Sequence, residues 1–339
     1  MSSTGPSRRH QLLAWAVPRL RGSSELETPE IERDRLVAAH ARARAGLPTR
    51  LVPRFDRRFS VVTEVLTGAA GEFASYVVTP RGAEPRRTVL YLHGGGFVSG
   101  IDPFHVRYLT RLATALGARV VVPDYAGFGD SPIPTAPPSV DAMADDLLAR
   151  LEGLGITQFC LAGLSMGGYA AMAILRQAPE RITALGLLDT KMAADTEEAR
   201  DRRLAVAERV LTEGSAQFLV DAMLPQLLGE RTRSEQPDVV DLVSGWIASA
   251  RPQAVAWAQR AMAARPDSTA DLAAYPGPAL VLAGDDDVIS PPAEQERIAA
   301  TLSDADLMLV PGVGHLSAIE HPEPVAAALI EWAGRSLPA

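Results

Sequence analysis

From Thr88 onward the chain repeats one pattern, a short apolar run followed by a segment with helical spacing. The apolar runs are Thr88–Leu92, Arg119–Pro123, Gln158–Ala162, Ile182–Leu188, Ala279–Ala283 and Leu307–Val310. The helical segments predicted between and after them are Phe104–Leu116, Val140–Leu151, Gly167–Gln177, Ala293–Leu302 and Pro324–Ala333. Strands this short and this apolar suit a sheet covered on both faces, and strands separated by helices run parallel. Two more strand signals, Val61–Leu66 and Ser75–Thr79, precede the pattern. The expectation is an α/β fold built on a mostly parallel sheet. With 47 % hydrophobic residues the chain has the material for its core.

One interval breaks the rhythm. Lys191–Asp271 is rich in helical spacing and far too long for an ordinary connection. It reads as a helical cap inserted into a core made of residues 59–190 and 272–339. Ahead of the core, residues 1–58 carry twelve Arg against six Asp and Glu, a basic arm on an otherwise acidic chain of net charge -8. Thr28-Pro29-Glu30 supplies an N-cap, a first-turn proline and an acid near the positive end of the dipole, so a helix is expected over residues 29–45. The overall acidity disfavours nucleic acid as a partner. No run approaches the roughly 18 apolar residues of a membrane helix. Arg8-Arg9 and the short apolar run after it only faintly resemble a twin-arginine export signal. A single cysteine, Cys160, permits no internal disulfide, and the expected location is cytoplasmic. Lysine occurs once, at Lys191.

Chemistry concentrates in four loops, each following a predicted strand. Gly163-Leu164-Ser165-Met166-Gly167-Gly168 stands between a strand and a helix. A serine nucleophile needs such a sharp turn, with glycines two before and two after so that strand and helix can approach. The turn also aims the Met166 N–H at the substrate oxygen. His93-Gly94-Gly95-Gly96-Phe97 follows the strand Thr88–Leu92. Successive glycines leave N–H donors uncovered, so Gly95, Gly96 and Met166 are the candidate oxyanion donors. His93 reads as a brace for its loop rather than as a base.

Serine needs a base, and the base needs a partner that selects its tautomer. Of six histidines only His315 directly follows a late strand, in Pro311-Gly312-Val313-Gly314-His315. For the acid, Gly284-Asp285-Asp286-Asp287 follows the strand Ala279–Ala283. Asp287 lies deepest in that loop; Asp285, Asp286 and Asp189 stay open as alternatives. No metal is expected here, because three adjacent carboxylates without a histidine or further carboxylate nearby make a poor ligand set.

The order Ser165, Asp287, His315, each on a loop after a strand, resembles the α/β-hydrolase superfamily across about residues 60–336. His93-Gly94-Gly95-Gly96-Phe97 is similar to the oxyanion motif of hormone-sensitive-lipase-like esterases. Those enzymes usually also carry a Tyr-Arg-Leu-Ala-Pro-Glu segment and an Asp-Ser-Ala-Gly elbow. This chain instead reads Asp124-Tyr125-Ala126-Gly127-Phe128-Gly129-Asp130-Ser131 and Gly-Leu-Ser-Met-Gly-Gly, closer to the enol-lactonase, methyl-esterase and C–C hydrolase branch. The resemblance implies an eight-stranded sheet with a helical cap after the sixth strand, and a serine esterase without cofactor or metal. The expected partner is a small-molecule ester or lactone, with Phe97, Phe218, Met223, Trp246 and Trp257 as candidate pocket residues. The same triad serves C–C bond hydrolysis, thioester hydrolysis, acyl transfer or perhydrolysis. A reading of another class is a non-catalytic ligand-binding protein that keeps a relic triad.

Overall fold

The computed structural model describes residues 46–68, 71–82, 84–85, 87–94, 101–124 and 136–335. Residues 1–45 of the basic arm, with the helix expected over residues 29–45, and Gly95, Gly96 and Phe97 lie outside the described residues. The described residues all belong to one compact unit, which begins at residue 45.

Eight strands form one sheet in the order β1-β2-β4-β3-β5-β6-β7-β8. They are β1 (Phe59–Gly68), β2 (Gly71–Pro80), β3 (Thr88–Leu92), β4 (Arg119–Pro123), β5 (Phe159–Leu164), β6 (Ile182–Leu188), β7 (Ala279–Gly284) and β8 (Ala305–Val310). β1 and β2 form an antiparallel hairpin, and β2 is antiparallel to β4. All later pairings are parallel. The connecting helices are α1 (Pro103–Leu116), α2 (Val140–Gly153) and α3 (Met166–Gln177). Every residue of β3, β5 and β7 is buried, so each strand is apolar on both faces. In β3, Leu90 and Leu92 join one core cluster while Val89 and Tyr91 join the other, as the period of two requires. β8 is the edge, and its exposed positions, such as Leu307, follow from having one neighbour.

Between β6 and β7 stand α4 (Glu197–Glu213), α5 (Leu219–Leu227), α6 (Glu230–Glu235), α7 (Pro237–Ser249), α8 (Pro252–Ala263) and α9 (Thr269–Ala273). Thr196 caps α4, its hydroxyl accepting from the Ala199 N–H, and Gly214 ends that helix in the left-handed region. These helices have a core of their own, including Val210, Leu219, Leu227, Val243, Ile247 and Val255. The chain returns through α10 (Pro292–Thr301), then α11 (Ser317–Glu320) and α12 (Pro322–Arg335). Trp332 of α12 is fully buried against the sheet. Among the described residues no helix is long and apolar enough to cross a membrane.

Strand order places the site. The connection from β3 leads to β4 on one side, whereas β5 returns to the other side of β3. A sheet of this kind opens a crevice at the carboxyl ends of the strands where the order reverses. Here the loops after β3 and β5 flank that point: a Cβ built on Gly94 would lie 3.4 Å from Cβ of Ser165.

Candidate active site

Ser165 joins β5 to α3 at φ 53° and ψ -114°, a conformation that L residues rarely adopt. Two glycines make the turn tolerable. A Cβ on Gly163 would sit 2.2 Å from the Gly167 carbonyl oxygen, and one on Gly167 would sit 2.2 Å from that of Leu92. The Ser165 N–H donates to the Leu188 carbonyl at 2.8 Å, and the Thr190 hydroxyl donates to the Ser165 carbonyl at 2.8 Å. β6 thus clamps the serine from one side.

The serine hydroxyl lies 2.8 Å from Nε2 of His315, whose Nδ1 lies 2.9 Å from Oδ2 of Asp287. The other oxygen of Asp287 accepts from the N–H groups of Ile289 at 2.8 Å and Ser290 at 2.9 Å. Burial would raise the Asp287 carboxyl, but the His315 ring and these two N–H donors outweigh it and hold the group below the usual carboxylate range. An ionised carboxylate only accepts, so His315 carries its proton on Nδ1 and presents Nε2 as acceptor to Ser165. Asp287 and His315 are 2 % and 3 % exposed, whereas Ser165 stays partly accessible. This is the arrangement that nucleophilic attack by a hydroxyl requires.

The remaining acidic candidates sit elsewhere. Asp285 accepts from the Gly312 N–H at 2.6 Å and the Asp286 N–H donates to the Val313 carbonyl at 2.9 Å, which ties the acid loop to the histidine loop. Asp189 is fully buried behind Asp287. Its carboxyl accepts from the Gly284 N–H at 3.1 Å and bonds the Ser317 hydroxyl at 2.5 Å. Burial, with the nearby Asp287 charge, pushes its pKa well above the carboxylate range. Two carboxylates this deep in one wall cannot both ionise readily, and the raised pKa of Asp189 favours its protonated form.

The histidine loop is also held from above. The N–H groups of His315 and Leu316 donate to the Leu227 carbonyl at 3.0 and 3.2 Å. The buried Glu320 accepts from the Gly229 N–H at 2.8 Å and the Leu316 N–H at 3.3 Å. The end of α5 is therefore bonded directly to the loop that carries His315, a linkage no sequence spacing announces.

A cavity of about 560 Å³ opens over Ser165 and His315. Phe218, Met223 and Trp246 line it, with Val206, Met262, Ile289 and Leu316. Trp257 does not line this cavity. Its indole N–H donates to the Ala136 carbonyl at 3.1 Å and its ring packs into the core cluster beneath the helices, because α8 turns that face inward. Gly94 lines the cavity beside Ser165. Met166 begins α3, where first-turn N–H groups have no partner within the helix.

Several lining residues were missed from sequence. His105, on the first turn of α1, lines the cavity and bonds Asp102 through Nδ1 at 2.8 Å. Burial would lower its pKa, but Asp102 reverses the sign and raises it. Lys191, Arg202, Arg203 and Gln259 line another part of the wall; the single lysine was the one available signal. His93 does brace its loop, with Nδ1 2.7 Å from the Gly94 carbonyl. Burial pushes its pKa down to about 4, so it is neutral. Cys160 is buried within β5.

Residues 89–328 match the Alpha/beta hydrolase family. The chain belongs to that family. A thermophilic esterase from Thermogutta terrifontis, solved with malate bound, is 36 % identical to this chain. The likeness covers 82 % of this chain and 99 % of that one, with a TM-score of 0.71. The enol-lactonase from Burkholderia xenovorans LB400 is 22 % identical over 80 % of this chain and 100 % of its own, with a TM-score of 0.70. A hydrolase from Pseudomonas aeruginosa PA01 is 24 % identical over 80 % and 98 %, with a TM-score of 0.68. At such identities the last two show a common fold.

Proposed function

We propose that this chain hydrolyses a carboxylic ester or lactone through an acyl-enzyme on Ser165. The observation that carries the reading is the unbroken hydrogen-bond chain from Ser165 through His315 to Asp287, opening into a largely apolar cavity. The similarity to an esterase at 36 % identity over nearly its whole length supports it.

In this mechanism Nε2 of His315 takes the serine proton as Oγ attacks the carbonyl. Asp287 holds the ring in the required tautomer and stabilises the imidazolium. The Met166 N–H, with those of Gly95 and Gly96, receives the developing oxyanion. His315 then protonates the leaving alkoxide and later removes a proton from the water that releases the acid. Residues 191–271 act as the cap. Phe218, Met223 and Trp246 shape a pocket for a small to medium substrate, and the volume of the cavity fits that size. The single, buried Cys160 needs no oxidising compartment and fits a cytoplasmic location.

The test is a panel of p-nitrophenyl esters, lactones and thioesters, with wild type beside Ser165→Ala. Ester or lactone turnover is expected for wild type, and kcat should drop by about 10⁴-fold or more in the variant. Covalent labelling by a fluorophosphonate should vanish with the hydroxyl. Wild-type-like turnover by Ser165→Ala would refute the mechanism; a wild type that is neither labelled nor turns over any ester would leave a binding protein.

A further inference from the structure

Resting on the ester-hydrolase reading, we propose that the substrate carries a carboxylate, and that Lys191 receives it in the same cavity as Ser165. Of thirty-three Lys and Arg residues in the chain, Lys191 is the only lysine. It stands three residues after the end of β6, next to Thr190, whose hydroxyl bonds the Ser165 carbonyl. It lines the cavity and is half-buried. Among the described residues no hydrogen bond or ion pair reaches its ammonium group.

The surrounding wall is rich in donors and poor in acceptors. The one acidic side chain lining the cavity, among the described residues, is Asp195. It is already shared by Arg203, at 2.5 Å, and Arg265, at 2.8 Å. Arg202 adds a further cation at the cavity. Gln259, 1 % exposed, also lines it. Its Oε1 accepts from Arg203 at 3.4 Å. Arginine can only donate, so that contact fixes the amide orientation. The Gln259 NH₂ then has no acceptor among the described residues.

Such a wall is costly without an acceptor. A buried donor without an acceptor loses its hydration and gains nothing. Burial, then the charges of Arg265 and Arg203, lower the Lys191 pKa, while Asp195 and Glu294 act in the opposite direction. An incoming carboxylate reverses the imbalance. It supplies acceptors to the ammonium group and the Gln259 NH₂, and its charge offsets the crowded cations. A neutral acyl chain would leave the imbalance in place. A cationic group would worsen it.

The test compares p-nitrophenyl monoesters of dicarboxylic acids, from succinic to suberic, with their methyl-ended isosteres. Acetate esters of hydroxycarboxylic acids cover the case in which the carboxylate lies on the alcohol side. Wild type should prefer a carboxylate-bearing ester. Lys191→Met should lower the ratio of kcat/KM for that ester over its neutral isostere by about tenfold or more. Lys191→Arg should recover part of the ratio, and Lys191→Glu should shift preference toward an ester bearing an ammonium group. Calorimetric titration with glutarate reads the same site without turnover, and its Kd should weaken by about tenfold in Lys191→Met. If no ester is turned over but glutarate binding still depends on Lys191, the hydrolase reading falls and the anion site stands. If neutral esters are preferred, or the ratio and glutarate binding are the same in wild type and Lys191→Met, the proposal is overturned.

Discussion

Replacing Asp287 by asparagine changes one atom and should disable the site through a tautomer. Oδ1 of Asp287 accepts two N–H groups, from Ile289 and Ser290, at 2.8 and 2.9 Å. An amide has only one oxygen. Turning its NH₂ toward those two donors would set donor against donor in a buried wall, so the oxygen stays there. The NH₂ must then face Nδ1 of His315, where Oδ2 stood at 2.9 Å. The imidazole can accept that bond only by moving its proton to Nε2, which then donates to Ser165 and cannot take its proton. The expected loss in kcat is about 10⁴-fold, equivalent to about 5.5 kcal/mol of transition-state stabilisation. Stability should fall less, by about 1–3 kcal/mol, because only one charge-assisted bond is lost and the Oδ1 bonds survive. The assay is kcat on a p-nitrophenyl ester, with urea unfolding to show that the fold persists. Activity of Asp287→Asn within tenfold of wild type would refute the tautomer argument, and so would a larger loss in Asp189→Asn.

Other outcomes follow from the same geometry. Asp189→Asn preserves a neutral partner for Gly284 and Ser317 and should be mild in stability. Asp189→Ala leaves the Gly284 N–H without its acceptor and should cost about 1–3 kcal/mol; equal Tm losses for the two would contradict a protonated Asp189. The raised pKa of Asp189 means its contribution is fully present below the unfolded value of about 3.9 and is lost as pH rises through the folded value. The Tm of Asp189→Asn should therefore gain on wild type as pH increases, and parallel Tm curves would count against this. Asp287 has the opposite sign: its lowered pKa gives stability above the unfolded value that is lost as pH falls through the folded one. Gly167→Ala would drive a Cβ to 2.2 Å from the Leu92 carbonyl oxygen and should cost about 3 kcal/mol or more, whereas Gly153→Ala meets nothing within 4 Å and should be neutral or stabilising by up to about 1 kcal/mol; a urea midpoint unchanged in Gly167→Ala would show that the turn has slack. Trp257→Ala should destabilise by about 3–5 kcal/mol, since the ring is core. Trp246→Ala should instead raise KM for longer acyl chains, which steady-state kinetics would show.

What could be read without coordinates was whatever depends on local order. Sheet-covering strands announce themselves as apolar runs, so Thr88–Leu92, Arg119–Pro123 and Ile182–Leu188 match β3, β4 and β6 residue for residue. The elbow was legible because Gly163 and Gly167 flank Ser165 at the spacing that their carbonyl contacts require. His315 and Asp287 were legible because each follows a late strand. Tertiary structure decided what chain order cannot encode. Asp287 and Asp189 both follow strands, and only the side-chain directions give one to His315 and the other to Gly284 and Ser317. Trp246 and Trp257 look alike in a helical segment, yet one lines the cavity and the other the core, because helix rotation is set by packing across α7 and α8. Lys191 and Gln259 are far apart in sequence and share a wall only through the helices between β6 and β7. A charged cavity of that kind is a property of how distant side chains converge, and no periodicity along the chain records it.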